Sequence, residues 1–357
     1  MLGRRVIGAG LLACAAVLPC SKGYAQQLLE EPLEYVRACS LFGRGYFYIP
    51  GTETCLSIQG QIRAEIGAGG DVGSGADPNG YFTVLRPTLR FSTASDSELG
   101  TLRTLTEHRF SYSNGNFQGY RLYRNYIQVD GFKAGLDETA FKTIDDDYGE
   151  FINDGVIPAG GYRTFLISYT AKLDPRLAFT VSVEEGGNDD ANVNVKARDM
   201  PYIVGGVRYE QGGFSTSLRA AYDSLNQAFA GKTRFSYDVN DRFNLWAMVG
   251  YKTNEDHYAL DSSGRSTRLV DSFYGTWGGS TAGWTGLAYK LTNKTKMNVQ
   301  LGYDGTRTFA ATANIVYTLA PQLIVMPEVS YTSWNDRKSW KNDLDQVQFR
   351  VRLQHRF

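Results

Sequence analysis

Several things are scarce in this sequence, and each scarcity narrows the reading. The 357 residues hold only three histidines (His108, His257, His355), scattered and without any Cys-x-x-Cys partner, so no zinc-type ligand set is visible. Positive charge is not in excess, with 37 Lys and Arg against 37 Asp and Glu. That balance argues against nucleic-acid binding, which needs a basic footprint. No stretch reaches 18 consecutive apolar residues, so no transmembrane helix is expected. No Gly-x-Ser-x-Gly occurs, and the glycine-rich stretch 67–75 lacks the G-x-G-x-x-G spacing, so it reads as a flexible loop and not a phosphate cradle. No metal or cofactor is implied, and no catalytic set stands out.

What is present begins with an address. Arg4 and Arg5 precede an apolar run from Val6 to Leu18, followed by Gly23-Tyr24-Ala25. A basic start, a short apolar run and small residues before position 26 predict a secretory signal peptide over 1–25. The run is short for a membrane anchor, and Cys14 and Cys20 are poorly placed for lipidation. Residues 1–25 carry three basic residues and no acid, so the remainder is slightly negative. Export leaves Cys39 and Cys55 as a pair in an oxidising compartment, where a disulfide is the natural expectation.

From Cys55 onward the chain has period 2. Leu56, Ile58, Ile62 and Ile66 alternate with Ser57, Gln59, Gln61, Arg63 and Glu65, and Val347, Phe349, Val351 and Leu353 alternate with Gln348, Arg350, Arg352 and Gln354. Alternation puts one set on each face of a strand. About sixteen such segments run from 55–67 to 346–357. Short connections such as Asp130-Gly131, Gln211-Gly212 and Asn240-Asp241 alternate with long ones such as 138–160 and 253–282, the loop sorting of an outer-membrane barrel. The fold class expected is all-β: a 16-stranded antiparallel transmembrane β-barrel. Hydrocarbon tolerates no open sheet edge, so the first strand should close on the last. The division is 1–25 signal peptide, 26–54 periplasmic N-terminal segment and 55–357 barrel.

Strand parity turns Arg63, Arg86, Arg90, Arg103, Arg109, Arg124, Arg350 and Arg352 inward, because a charge facing lipid at mid-depth costs ~2–4 kcal/mol. Each could be a pore-lining charge or half of a lumen salt bridge. His108 falls at lipid-facing parity. The pair Asp189-Asp190 could hold Ca²⁺ weakly or be plain loop charge.

The stretches Glu34-Tyr35-Val36-Arg37-Ala38-Cys39 and Gly45–Leu56 resemble the alphaproteobacterial (rhizobial-type) general porins. So do Asn125–Gly135, Ser168–Ala171 through Val183–Gly186, and the final phenylalanine. The resemblance covers essentially the whole exported chain. It implies an outer-membrane porin, a water-filled channel for passive diffusion of small hydrophilic solutes and ions, usually a homotrimer among outer-membrane lipid and lipopolysaccharide. It also implies that the loop after the fifth strand folds into the lumen as a constriction. That loop holds Asp145, Asp146, Asp147, Glu150 and Asp154, so an acidic loop would face an arginine wall. Phe349, Val351, Leu353 and the terminal Phe357 would form the signal read by the barrel-assembly machinery. Two other readings remain: a receptor or adhesin barrel using the loop 253–282, and a membrane-embedded hydrolase for which His257 is the reasonable catalytic histidine.

Overall fold

The computed structural model describes residues 37–76, 80–187 and 195–357. The expected signal peptide and the Asp189-Asp190 pair lie outside these residues.

Sixteen antiparallel strands form the sheet. The first four are β1 (Cys55–Gly69), β2 (Tyr81–Ser97), β3 (Gly100–Ser113) and β4 (Asn116–Val129). They are followed by β5 (Phe132–Glu138), β6 (Arg163–Lys172), β7 (Leu177–Glu184) and β8 (Tyr202–Gln211). Next come β9 (Phe214–Asp223), β10 (Ala228–Asn240), β11 (Phe243–Lys252) and β12 (Thr281–Thr292). The last are β13 (Thr295–Asp304), β14 (Phe309–Ala320), β15 (Leu323–Trp334) and β16 (Leu344–Arg356). Each pairs with its sequence neighbour, and β16 returns to β1 with Arg352 opposite Glu65 and Gln354 opposite Arg63. The sheet is closed, so no row of backbone donors is left facing lipid. Among the described residues no helix is long and apolar enough to cross a membrane.

The alternation explains the closure. On β16, Phe349, Val351 and Leu353 are exposed outward, while Gln348, Arg352 and Gln354 are buried inside. Ile58, Ile62 and Ile66 of β1 face outward in the same way, against Ser57, Gln61 and Glu65 inside. A shift of one residue would exchange the two sets and place charge in hydrocarbon, which fixes the register.

Two details differ from expectation. By sequence 93–98 reads as a short turn-like connection, but β2 runs on to Ser97 and only Glu98-Leu99 turn the chain. Pairing persists because the Thr93 and Thr104 hydroxyls bond across the strands at 2.6 Å. The loop 253–280 is also not plain coil: Tyr258–Leu260 and Ser266–Arg268 pair as a small hairpin. At Asp130-Gly131 the turn forms as expected, with Asp130 in the left-handed region at φ 47°. Glycine is required beside it, since a Cβ on Gly131 would sit 2.2 Å from the Thr170 carbonyl oxygen.

Before β1, Tyr46–Tyr48 adds a short strand to Cys55–Ser57. Cys39 and Cys55 form a disulfide with their Cα atoms 6.1 Å apart, pinning this segment to the start of the barrel.

Candidate functional site

The interior is built unevenly. On one side lies a buried apolar cluster that includes Phe141, Ile144 and Ile157 from the loop 139–162, Phe273, Tyr274 and Trp277 from the loop 253–280, and Tyr202, Trp246, Met248 and Trp284 from the wall. Gly206 makes room for it, because a Cβ there would stand 2.7 Å from Ile144 Cδ1. The aromatic side chains pack edge to face, as in Phe141–Tyr274 at 5.4 Å and Trp277–Trp284 at 5.8 Å between ring centres.

Polar anchors hold the loop 139–162 against inward-facing wall residues at three places. At its start, the Glu184 carboxylate accepts the Thr139 hydroxyl (2.5 Å), the Ala140 N–H (2.8 Å) and the Tyr274 hydroxyl (2.9 Å). Further on, Asp147 meets the Arg219 guanidinium at 2.8 Å and the Lys232 ammonium at 2.6 Å, and Asp145 accepts the Ser217 hydroxyl at 2.9 Å with Arg234 at 3.6 Å. At its far end, the N–H groups of Ile152 and Asn153 donate to Glu328 at 2.6 and 2.7 Å. These partners lie on β7, β9, β10 and β15, so the loop spans the inside of the barrel.

A void of about 690 Å³ remains beside the loop. Tyr148 to Val156 form one bank, and the other carries Arg63, Arg86, Arg90, Arg109, Arg121, Arg124, Arg352 and Arg356. Six of the eight arginines expected inside thus line one opening. Arg103 lies with Lys133 around a separate cavity and stands 5.7 Å over the Phe42 ring. Arg350 reaches Glu65 at 3.7 Å and stacks 4.9 Å above Phe82.

Carboxylates on the wall are few. Glu107 alone serves Arg90 (2.7 Å), Arg124 (3.1 Å) and Arg109 (3.4 Å). Glu65 serves Arg352 at 2.7 Å. For these arginines the salt-bridge description holds. Arg63 and Arg86, opposite each other on β1 and β2, have no ion-pair or hydrogen-bond partner among the described residues, and both Nε atoms are buried.

The loop acids divide in a way the sequence did not indicate. Asp145 and Asp147 are buried and bound to the wall, so their charges serve attachment; they do not form a free acidic face. Glu150 pairs with Lys296. Asp146 and Asp154 are exposed, and Asp154 lines the void. Sequence reasoning missed Glu184, Ser217, Arg219, Lys232, Arg234 and Glu328. The available signal was inward parity of charge on β7, β9, β10 and β15.

His108 stands at outward parity as expected, its Nδ1 2.7 Å from the Tyr120 hydroxyl. His257 bonds Asp271 at 2.5 Å on an outer loop, and among the described residues no serine hydroxyl bonds its ring.

The comparisons agree with this architecture. A family model described as Porin subfamily matches residues 28–354. Porin Omp2b of Brucella abortus (strain 2308) is 39% identical over 354 residues, covering 93% of each chain, and the Omp2b porin of Brucella melitensis biotype 1 is equally similar at 39%. Among solved structures, the outer membrane channel DcaP of Acinetobacter baumannii superposes with a TM-score of 0.65 at 16% identity, over 87% of this chain and 99% of that one. An anion-selective porin from Comamonas acidovorans superposes at 0.59 with 13% identity, over 85% of this chain and 100% of that one. At such identities these two speak for the fold. The closed sixteen-stranded barrel, the polar interior and the sequence match together place this chain in the porin subfamily, as an outer-membrane channel for passive diffusion.

Proposed function

We propose that small hydrophilic solutes and ions cross through the opening between Tyr148–Val156 and the arginine wall, and that this constriction sets selectivity. The observation that supports it is the asymmetry of charge. One bank presents eight arginines, and the facing bank carries Asp154, with Glu150 paired to Lys296. Arginine keeps its charge at any relevant pH. Charged rings tune which ions enter a pore, and opposite signs across a narrow gap order water and disfavour bulky apolar solutes. The test is the reversal potential in a KCl gradient across a planar bilayer. Arg63→Gln with Arg86→Gln should shift permeability towards cations, and Asp154→Asn towards anions. Reversal potentials unchanged in both variants would remove the constriction from this position.

Two properties of the outer surface belong to the same reading. Phe349, Val351, Leu353 and Phe357 form an exposed apolar row at the C-terminus, suited to recognition by the barrel-assembly machinery. Deleting Phe357 should lower the folded, membrane-inserted yield severalfold, read as the heat-modifiable fraction on a gel; unchanged yield would speak against it. The outward face of β2 to β4 carries a Thr93–Thr104 hydroxyl pair and, separately, His108 bonded to Thr106 and Tyr120. Lipid is a poor neighbour for such groups, and neighbouring copies in a homotrimer would cover them, while lipid and lipopolysaccharide surround the rest. His108→Leu should leave the monomer folded and change the proportion of trimer on native gels; an unaltered proportion would place this face against lipid.

The hydrolase and adhesin readings find less support. His257 has Asp271, but among the described residues no serine hydroxyl bonds its ring. The loop 253–280 spends Phe273, Tyr274 and Trp277 in the interior cluster, where they are not available to an outside partner.

A further inference from the structure

Among the wall arginines, Arg63 and Arg86 are set apart by geometry. They face each other directly across β1 and β2 and both line the void. Directly opposed like charges on a sheet are destabilising. Arg109 and Arg352 are near enough to add repulsion to both. The nearby carboxylate that could relieve them, Glu65, is taken up by Arg352 at 2.7 Å. Their Nε atoms are cut off from solvent without a hydrogen-bond partner, while the side chains as a whole keep partial access to the lumen. A buried donor left unpaired is costly, and a charged one more so.

We propose that the Arg63–Arg86 pair is a discrete binding station for a compact divalent oxyanion of the phosphate type, either free phosphate or the head of a small phosphate ester. Opposed residues on adjacent strands stand about 5 Å apart at Cβ, so two guanidinium groups converge on one small volume. A tetrahedral dianion fits there with oxygens for both forks, and Arg is suited to such bidentate contacts. A dicarboxylate of extended shape would place only one carboxylate between them. The anion neutralises the repulsion and supplies acceptors to the parts of the two guanidinium groups that face the lumen. A saturable station of this kind concentrates the solute at the opening and slows smaller anions behind it. This assignment rests on the pore reading above and goes beyond it, since a general field needs only charge, whereas a station needs the fork.

The experiment uses the full barrel in a planar bilayer, with chloride current in KCl at pH 8 titrated by inorganic phosphate, glycerol phosphate or succinate. Wild type should show a saturating reduction of current by phosphate. Arg63→Lys with Arg86→Lys keeps both charges but loses the planar forks, so the half-blocking phosphate concentration should rise about tenfold, the factor expected for losing one good charged contact. The single Arg86→Lys variant should rise by a smaller factor and serves if the double variant fails to insert. Equal block by glycerol phosphate identifies the ester head as sufficient, and block by free phosphate alone restricts the station to the free ion. A linear, non-saturating effect of phosphate, or equal block in the lysine variants, overturns the station. Succinate blocking better than phosphate overturns the choice of ligand. If instead the Asp154→Asn and Arg→Gln reversal potentials do not move while phosphate still blocks, the reading that the constriction sets selectivity fails and the station stands.

Discussion

Asp147→Asn should weaken the hold on the channel loop more than any other single substitution in it. Asp147 is the carboxylate between Arg219 and Lys232, both essentially inaccessible to solvent. Removing one partner of a buried charge set strands the others, at a cost of about 3–5 kcal/mol. Carbonyls soften the loss without replacing the charge: Arg219 still donates to the Asp145 oxygen at 2.9 Å and Lys232 to the Ala159 oxygen at 2.7 Å. The loop keeps its Glu184 and Glu328 anchors, so it loosens in the middle and is not released. Single-channel records should show severalfold larger open-state current fluctuations, with the barrel unfolding at a lower temperature in detergent. Lys232→Met, which removes an interior cation yet leaves the Arg219–Asp147 pair, should cost much less. Wild-type noise and stability in Asp147→Asn would mean that the loop is held by its apolar contacts alone.

The contrast between those two substitutions marks where sequence reading succeeded and where it stopped. Period-2 alternation is a local signal, and on β1 and β16 it separates the inward from the outward set; the register of their closure, with Arg352 against Glu65, was not in it. The lipid face enforces this on these two strands, since a strand set against lipid must be apolar on that side. Inside the barrel no such uniform rule applies. Trp246, Met248 and Trp284 are apolar and point inward, because they meet Ile157 and Trp277 from loops far away in sequence. Those positions break the polar-inside pattern, and alternation alone gives no account of them.

The acids of the loop show the same limit. Five carboxylates between 145 and 154 look alike in sequence, and composition treats them as one charged bank. Their fates depend on which wall cations lie opposite: Asp145 and Asp147 meet β9 and β10, Glu150 meets Lys296, and Asp154 meets the void. Pairing at sequence separations of 72 or more, as for Asp147 with Arg219, is set by the barrel's curvature and not by any motif. The arginines were more legible because parity alone turns them inward. Which of them are neutralised was not, since Glu107 serves three and Arg63 and Arg86 none.

Gly155→Cys tests the central claim, that solutes pass between the loop and the arginine wall. Gly155 is exposed and lines the void. A Cβ there meets nothing closer than Tyr148 Cε2 at 3.8 Å, so the substitution should fold and conduct like wild type. Cys39 and Cys55 are bonded to each other, which leaves the new thiol as the reactive one in the described chain. Modification by a bulky, negatively charged thiol reagent during single-channel recording would place an anion across from the arginines and fill part of the opening. The expected result is a stepwise loss of at least half of the chloride current that persists after the reagent is washed out and is restored by reducing agent. Complete modification, verified by mass, with the current unchanged would show that ions take another route and would contradict the account.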